Sequence, residues 1–210
     1  MKLLELFAGS RSISNVAEEL GFQVFSSDIE PFCLIDYVID ILEFDVLKVP
    51  FIPDIIWASP PCTGFSISAC GYHWTGGKCA YIPKTKTAKL GIEIVKKTLS
   101  IIEYFNPKYY FIENPRGLLR KMPFMKDFKR YTITYCQYGD NRMKPTDIWT
   151  NNNKWQPRPM CRNGDTCHES APRGSRAGTQ GRKDAYNRSK IPRELCLEIL
   201  KSCDETINKL

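Results

Sequence analysis

A cysteine that directly follows two prolines is the residue in this sequence best placed to do chemistry. It is Cys62, in the run WASPPCTGFS at 57–66. The apolar residues before it are typical of a buried β-strand, and the prolines end that strand because they fix φ and lack an N–H for the ladder. We therefore expect the thiol on a stiff loop at the carboxyl end of a strand, where open α/β sheets bind ligands.

A carboxylate occupies the corresponding place after a second apolar segment. Glu113, in Glu113-Asn114-Pro115, follows the strand-like residues 109–112. A thiolate near a carboxylic acid suits attack on an electron-poor ring, because the acid neutralises the charge that develops. The alternative is that Cys62 is a buried structural thiol, which is common for free cysteines.

Three further strand ends carry a turn or a carboxylate that could bind a nucleoside. Gly9 lies in the turn after the first strand, Asp28 follows the second and Asp40 the third. Such a turn lets a ligand approach the backbone, and an aspartate there can accept from ribose hydroxyls or an amine. Each aspartate could equally be a helix cap or a solvated turn. The turn lacks the G-x-G-x-x-G pattern, which disfavours NAD.

The elements that must position these residues alternate between strand and helix. Apolar patterning predicts strands at 2–7, 23–27, 37–39, 54–58, 109–112, 131–135 and 148–150, with helices over 13–20, 87–105 and from about 192. This order predicts an α/β fold with a doubly wound, mostly parallel sheet. Residues 63–87 show no periodicity and are expected to form a mobile binding loop.

Composition limits the compartment and the partners. The 210 residues fit one domain, no apolar run is long enough for a membrane helix, and nine cysteines without an export signal favour reduced thiols in a cytoplasm. The net charge of +7 falls entirely within 154–193, where ten lysines and arginines face three acidic residues. A basic tract on a neutral body predicts a polyanionic partner, most simply nucleic acid, with salt-dependent binding.

The motifs together resemble those of the DNA (cytosine-5) methyltransferases. Phe7-Ala8-Gly9, the segment 59–66 and Glu113-Asn114-Pro115 occur in that family's order and rough spacing, and 191–195 (IPREL) is similar to its last motif. The resemblance covers about 1–150 and 187–210. It implies the Rossmann-like fold of S-adenosylmethionine-dependent methyltransferases. The compactness of the chain resembles enzymes of phages or mobile elements.

The resemblance also implies a mechanism on double-stranded DNA. The Cys62 thiolate would add to C6 of a flipped cytosine, so that C5 can receive the methyl group of S-adenosylmethionine. Glu113 would hydrogen-bond the base at N3 and the 4-amino group. Arg142, the nearest counterpart of the family's arginine motif, would support the flipped base or the intermediate.

The cofactor site is expected at the first strand ends. Phe7 would stack on the adenine, Asp28 would bind the ribose and Asp40 the adenine amine. The full set of expected cofactor-binding residues is Phe7, Ala8, Gly9, Ser10, Arg11, Asp28, Ile29, Asp40, Ile41 and Pro60.

The sequence departs from the family pattern in two places. Gly9-Ser10-Arg11-Ser12 replaces the usual glycine-rich turn, so Arg11 could bind the cofactor's carboxylate, point to solvent, or favour a more acidic cofactor derivative. The separate recognition domain is also missing. We expect a catalytic domain at 1–150, a small basic DNA-contacting segment at 151–190 and a C-terminal helix at 191–210 that completes the catalytic domain.

Other readings of the same residues remain open. An RNA-directed cytosine-5 methyltransferase would share the catalytic pair, and a catalytically idle DNA-binding or partner subunit would fit the altered turn. An amino-group methyltransferase is disfavoured by Cys62 after the prolines. Two Cys/His groups, one of Cys70, His73 and Cys79 and one of Cys161, Cys167 and His168, lack a C-x-x-C pair, so no metal is predicted. A monomer is expected.

Overall fold

The fold is built on a seven-stranded sheet with helices on both faces. The computed structural model describes residues 1–76, 81–169 and 185–204. The sheet strands are β1 (Lys2–Leu6), β2 (Gln23–Asp28), β3 (Tyr37–Val38), β4 (Ile55–Ala58), β7 (Tyr109–Pro115), β8 (Arg130–Thr134) and β9 (Pro145–Thr150), and β5 (Trp74–Thr75) pairs with β6 (Ile82–Pro83) in a small hairpin. The helices are α1 (Ser12–Glu19), α2 (Cys70–His73), α3 (Lys86–Phe105), α4 (Ala185–Ser189) and α5 (Arg193–Cys203).

The strand order, β3-β2-β1-β4-β7-β9-β8, places β4 at the centre between β1 and β7. The strands from β3 to β7 in this order are parallel, whereas β9 is antiparallel to both β7 and β8. The carboxyl ends of β1, β2, β4 and β7 therefore lie at one edge of the sheet. The amino end of β9 and the carboxyl end of β8 reach the same edge. The predicted doubly wound, mostly parallel α/β fold is confirmed.

Each face of the sheet is covered by its own apolar core. Leu4, Ile56 and Ile112 face a core that includes residues of α3, while Leu3 and Trp57 face the core formed with α1 and α5. Because side chains alternate along a strand, a strand buried on both faces is apolar at every position. This explains the continuous apolar runs that predicted the central strands.

The segment 63–87 has more regular structure than its sequence predicts. Short 3₁₀ turns over Thr63–Phe65 and Ile67–Ala69 lead into α2, β5 and, after 77–80, β6. The Trp74 side chain is 4 % exposed and its indole Nε1 donates to the Gly64 carbonyl oxygen over 2.6 Å. The segment is therefore fastened to the body by an aromatic side chain, whereas Tyr72, 71 % exposed, projects outward.

The chain returns to the first turn at its end. The backbone N–H of Ile191 donates to the Ser12 hydroxyl over 3.1 Å, and α5 contacts α1. Trp155, near the start of the basic tract, is buried against Phe111 and Tyr131. The first residues of that tract are thus part of the core. Among the described helices, none has the length and apolar character needed to cross a membrane.

Candidate active site

Cys62 is held by the end of β7. The side-chain amide of the buried Asn114 donates to the Pro60 carbonyl oxygen over 2.7 Å, which ties the proline loop to the neighbouring strand. Cys62 then begins the 3₁₀ turn over Thr63–Phe65. Gly117 passes so close to this turn that a Cβ there would lie 2.4 Å from the Phe65 carbonyl oxygen. The two strand ends therefore fix the position of the thiol from both sides.

Glu113 lies at the end of β7 with two partners that sequence reasoning missed. The Tyr135 hydroxyl donates to Glu113 Oε1 over 2.9 Å, and Lys144 Nζ lies 3.9 Å from the same oxygen. Lys144 Nζ also lies over the Tyr135 ring, 4.3 Å from its centroid. All three side chains are buried, so the carboxylate, the phenol and the ammonium form one tightly packed group.

The antiparallel strands explain why Tyr135 and Lys144 reach the site. Tyr135 follows β8, and Lys144 precedes β9, so both flank the sheet edge where β7 ends. The sequence predicts the strands but carries no local signal for the direction of their pairing. Lys144 directly precedes the Pro145–Thr150 strand, but the apolar pattern predicts that strand only from 148, so it does not point to Lys144.

Arg142 lies outside this group. Its guanidinium is buried, forms hydrogen bonds and a salt bridge with the Asp140 carboxylate, and donates to the Arg188 carbonyl oxygen. The hydrogen bonds to Asp140 raise the pKa of Arg142 above its ordinary value. Arg142 therefore fixes the turn between β8 and β9, and Lys144 is the cation that reaches Glu113.

A cavity of about 600 Å³ joins the predicted catalytic residues to the turn after β1. Six of the predicted site residues line it, together with Lys144 and Arg188. The six are Phe7, Ala8, Ser10, Pro60, Cys62 and Glu113. The remaining predicted residues, Gly9, Arg11, Asp28, Ile29, Asp40, Ile41 and Arg142, do not line it.

The two aspartates at the strand ends are engaged by the backbone. Asp28 Oδ2 accepts the N–H of Gly9 over 2.8 Å, and its Oδ1 accepts the N–H of Glu30. Asp40 caps a 3₁₀ turn by accepting the N–H of Leu42 over 3.0 Å. The capping role that the sequence left open is therefore the one Asp40 adopts. Asp28 braces the Gly9 turn, which has a φ of 48°.

The other expected cofactor residues have different surroundings. The Arg11 guanidinium forms a salt bridge with Glu18 on α1, which satisfies its charge away from the cavity. Ile41 is part of the core beneath the sheet edge, and Ile29 is exposed. Phe7, with a φ of 59°, adopts a left-handed conformation that is costly for an aromatic residue and is typical of functional turns.

The surroundings of Cys62 set its acidity. Although the residue is open to the cavity, burial by the cavity walls raises the pKa of the thiol, and the Glu113 carboxylate raises it further. The Lys144 ammonium acts in the opposite direction and lowers the pKa of the thiol. Burial lowers the pKa of Lys144 itself, while Glu113 raises it. The three groups thus form a coupled charge system around one nucleophile.

Glu5 is a further buried acid in the cavity wall that the sequence did not single out. Its carboxylate accepts the N–H of Ser14 over 3.1 Å and a hydrogen bond from the Ser14 hydroxyl. Burial raises the pKa of Glu5 from 4.5 to about 7, although the bonds from Ser14 lower it. The group braces the amino end of α1 against β1.

The cavity fits a nucleoside-bearing cofactor. Its volume lies in the range of small-molecule sites, and its wall combines the Phe7 ring with the hydroxyls of Ser10, Ser12 and Ser59. An aromatic ring suits a purine base, and hydroxyl groups suit ribose and amino-acid oxygens. The donor set therefore fits S-adenosylmethionine.

The two Cys/His groups of the sequence have different outcomes. In the first, His73 Nδ1 is hydrogen-bonded to Thr85 Oγ1 over 2.7 Å, and Cys79 lies outside the described residues. In the second, Cys161, Cys167 and His168 are joined by Cys136 from the turn after β8. Sequence spacing does not point to this fourth member, since it lies 25 residues before Cys161.

The fold and the cavity at the carboxyl edge of its sheet define a Rossmann-like methyltransferase. The family model for C-5 cytosine-specific DNA methylases matches residues 1–139. The chain belongs to this family.

One curated protein and two solved structures are similar to the chain. A Frog virus 3 (isolate Goorha) protein named "Probable DNA (cytosine-5)-methyltransferase" is 29 % identical over 219 residues, which cover 97 % of this chain and 100 % of that protein. A crystal structure of a protein assigned as a DNA modification methyltransferase, encoded within an E. coli prophage, has a TM-score of 0.51 at 13 % identity over 77 % of this chain and 52 % of that one. The Spodoptera frugiperda DNMT2 mutant has a TM-score of 0.49 at 17 % identity over 81 % and 57 % of the two chains.

Proposed function

We propose that this protein methylates C5 of cytosine in double-stranded DNA through a covalent bond between Cys62 and C6 of a flipped base. The observation that carries the proposal is that Cys62, Glu113 and Lys144 line the same cavity as the Phe7 turn. This cavity thus combines a nucleophile, an acid with a cation beside it, and a site for a nucleoside. Membership of the family supports cytosine in DNA as the substrate.

The β1 end of the cavity would hold the cofactor. Phe7 would pack on the adenine, and Ser10 and Ser12 would offer hydroxyls to the amino-acid portion. Asp28 acts through Gly9, whose N–H it accepts, and so keeps the turn open. When bound, S-adenosylmethionine supplies an electrophilic methyl group. Asp40 and Arg11 support the surrounding backbone because Asp40 caps a turn and Arg11 pairs with Glu18.

The Cys62 sulfur starts the reaction by adding to C6 of the cytosine. The thiolate electron pair forms the S–C6 bond, and the electrons of the C5–C6 double bond become available at C5 to bond the methyl group, whose bond to the sulfonium sulfur of the cofactor would break. A base then removes the C5 proton, the double bond re-forms and the thiolate leaves. The elevated pKa of the free thiol means that the thiolate must be generated or stabilised when the substrate is present.

Glu113 and Lys144 stabilise the negative charge that this addition creates in the ring. Glu113 faces the base, held in orientation by the Tyr135 hydroxyl, and hydrogen-bonds N3 and the 4-amino group. Lys144 stabilises the thiolate before addition and offsets the negative charge that passes into the ring. This proposal gives Lys144 the supporting role that the family resemblance implies for Arg142.

The target base must leave the duplex to reach this chamber. Cys62 lies behind two prolines at the sheet edge, which the stacked interior of a duplex cannot approach, so the base is extruded at a cost of about a few kcal/mol. Arg188, from α4, lines the cavity and offers positive charge for a phosphate. Tyr72 is an exposed aromatic residue that lies between the cavity residues Ala69 and His73 in the sequence, so its ring is available to stack on a base of the DNA.

The covalent step is tested with duplex DNA that contains 5-fluorocytosine. Fluorine replaces the proton that must leave C5, so elimination stops and the enzyme stays bonded to DNA. With S-adenosylmethionine we expect an adduct that survives denaturation and is absent in Cys62→Ala. Cys33→Ala, which removes another exposed thiol, is the matched control and should form the adduct normally.

The same experiment separates the alternatives. Adduct formation on an RNA of the same sequence, and not on DNA, would replace the DNA proposal with an RNA-directed enzyme. Binding of both DNA and cofactor without any adduct would favour a catalytically idle DNA-binding subunit.

A further inference from the structure

We propose that Cys136, Cys161, Cys167 and His168 bind a structural zinc ion outside the active site. Each of these residues offers one ligand atom, and the four atoms lie within 4.8 Å of one another. Three sulfurs and one imidazole nitrogen form a Cys₃His donor set, which is a recurrent set for structural zinc.

The separations of the ligand atoms agree with a tetrahedral ion. With Zn–S near 2.3 Å and Zn–N near 2.0 Å, two sulfurs on one zinc lie about 3.7 Å apart and a sulfur and a nitrogen about 3.5 Å apart. The sulfurs of Cys136 and Cys167 are 3.7 Å apart. His168 Nδ1 lies 3.5 Å from the Cys167 sulfur and 3.7 Å from that of Cys161.

The distance between the sulfurs of Cys136 and Cys161 must increase slightly to fit a tetrahedral ion. The sulfurs of Cys136 and Cys161 are 3.0 Å apart, so side-chain rotation must separate them by about 0.7 Å to reach the tetrahedral value. Adjacent residues both serve as ligands here because His168 turns Nδ1, and not Nε2, towards the sulfurs.

The surroundings suit a fixed metal centre. Cys136 and Cys161 are buried, whereas Cys167 lies at the surface, which leaves an entry path. The Gln137 side-chain amide donates to the Cys167 sulfur over 3.5 Å, and the backbone N–H of Cys161 donates to Thr134 Oγ1. Such outer contacts orient ligands and stabilise thiolate charge.

Zinc at this place would join two distant parts of the chain. Cys136 lies in the turn that also carries Tyr135, the partner of Glu113, while the other ligands lie in the segment that begins the basic tract. Binding displaces the three thiol protons into solvent, leaving three thiolates and a neutral imidazole around Zn²⁺. The ion would thereby fasten that segment to the turn that carries Tyr135, next to the active-site cavity.

The test is the metal content of the full chain purified under reducing conditions without chelators. Mass spectrometry of the eluted metal should find about one zinc per chain, lost in Cys161→Ser and His168→Ala and retained in Cys33→Ser. If the ligand variants fail to fold, the wild-type protein still decides. Replacing its zinc with Co²⁺ should give the visible bands of a tetrahedral thiolate site.

Two results would overturn the proposal. The first is a folded wild-type protein that contains no zinc and gives no such bands with Co²⁺. The second is a disulfide between Cys136 and Cys161, found by mass spectrometry of peptides from protein alkylated before any reductant is added. Neither result depends on methyl transfer, so the zinc site and the proposed function fail or stand separately.

Discussion

Lys144 Nζ lies 3.9 Å from Glu113 Oε1, inside the cavity that Cys62 also lines. The ammonium is held there by the carbonyl oxygen of Arg188, 3.1 Å away, and by the Tyr135 ring. A buried cation beside a carboxylate and a thiol couples the charges of all three groups. The acidity of the nucleophile should therefore respond to changes at either neighbour.

Replacing Lys144 with methionine should make Cys62 less acidic. Removing the ammonium takes away the main charge that opposes burial and the Glu113 carboxylate, so the pKa of the thiol rises. The pH range over which the rate of methyl transfer increases should shift to higher pH. Near neutrality, kcat should fall by about 10²-fold. The alkylation rate of the Cys62 peptide measures the same shift directly. Lys144→Arg keeps the charge and should retain most activity, and an unshifted profile in Lys144→Met would remove Lys144 from the charge system.

Replacing Glu113 with glutamine should separate acidity from catalysis. Loss of the carboxylate charge lowers the pKa of Cys62, so alkylation of the thiol at fixed pH should become faster. Methyl transfer should nevertheless fall by about 10²- to 10³-fold, since the group that stabilises the ring charge is gone. Opposite directions in the two assays are the expected result. A parallel decrease in both would indicate that the thiol is no longer positioned.

The positions of Cys62 and Glu113 could be predicted because strand ends follow from local patterns. An apolar run that ends at prolines, or at Glu-Asn-Pro, predicts the carboxyl end of a strand in a parallel sheet. Lys144 and Tyr135 could not be predicted in this way, because they reach the edge only through the antiparallel pairing of β9 with its two neighbours.

The choice of partner also limited the other predictions. Asp40 and Arg11 are expected from the sequence to bind the cofactor, and in the structure Asp40 accepts the N–H of Leu42 while Arg11 pairs with the Glu18 carboxylate. A sequence shows that a polar side chain is present. It does not show whether that side chain bonds to a ligand or to another group of the protein. Cys136 illustrates the converse case, since its cluster forms only when the turn after β8 meets a later segment.

Replacing Asn114 with alanine should loosen the proline loop. The variant loses the buried 2.7 Å bond to the Pro60 carbonyl oxygen, and leaving that acceptor unsatisfied should cost about 1–3 kcal/mol of unfolding free energy. Activity should fall as well, because the loop carries the nucleophile. Urea unfolding measures the first effect. Asn153→Ala is the matched control, since Asn153 accepts an exposed hydrogen bond from Lys129 and its loss should change stability by less than about 0.5 kcal/mol.

Two aromatic residues of α2 and β5 should respond in different assays. Tyr72→Ala should leave the unfolding free energy almost unchanged and weaken DNA binding by about 10-fold or more if the ring stacks on a base. Trp74→Ala should instead destabilise the fold by about 3–5 kcal/mol, because the buried indole and its bond to Gly64 are lost. Tyr104→Ala, which removes an exposed ring on α3, is the control for DNA binding. Equal DNA affinities for the Tyr72 and Tyr104 variants would show that Tyr72 does not contact DNA.

Glu5 should make the fold less stable as the pH rises. Its pKa is about 7 in the folded protein against an ordinary value of 4.5, so its contribution is fully present below pH 4.5 and is lost as the pH rises to about 7. Over that window, the free energy of unfolding should fall by about 3 kcal/mol relative to Glu5→Gln, at about 1.4 kcal/mol per pH unit. Glutamine keeps an oxygen for the Ser14 N–H and cannot ionise, so it isolates the charge. Urea unfolding at pH 5, 6 and 7 measures the difference, and parallel pH dependences for the two proteins would mean that Glu5 ionises in the folded state as readily as in water.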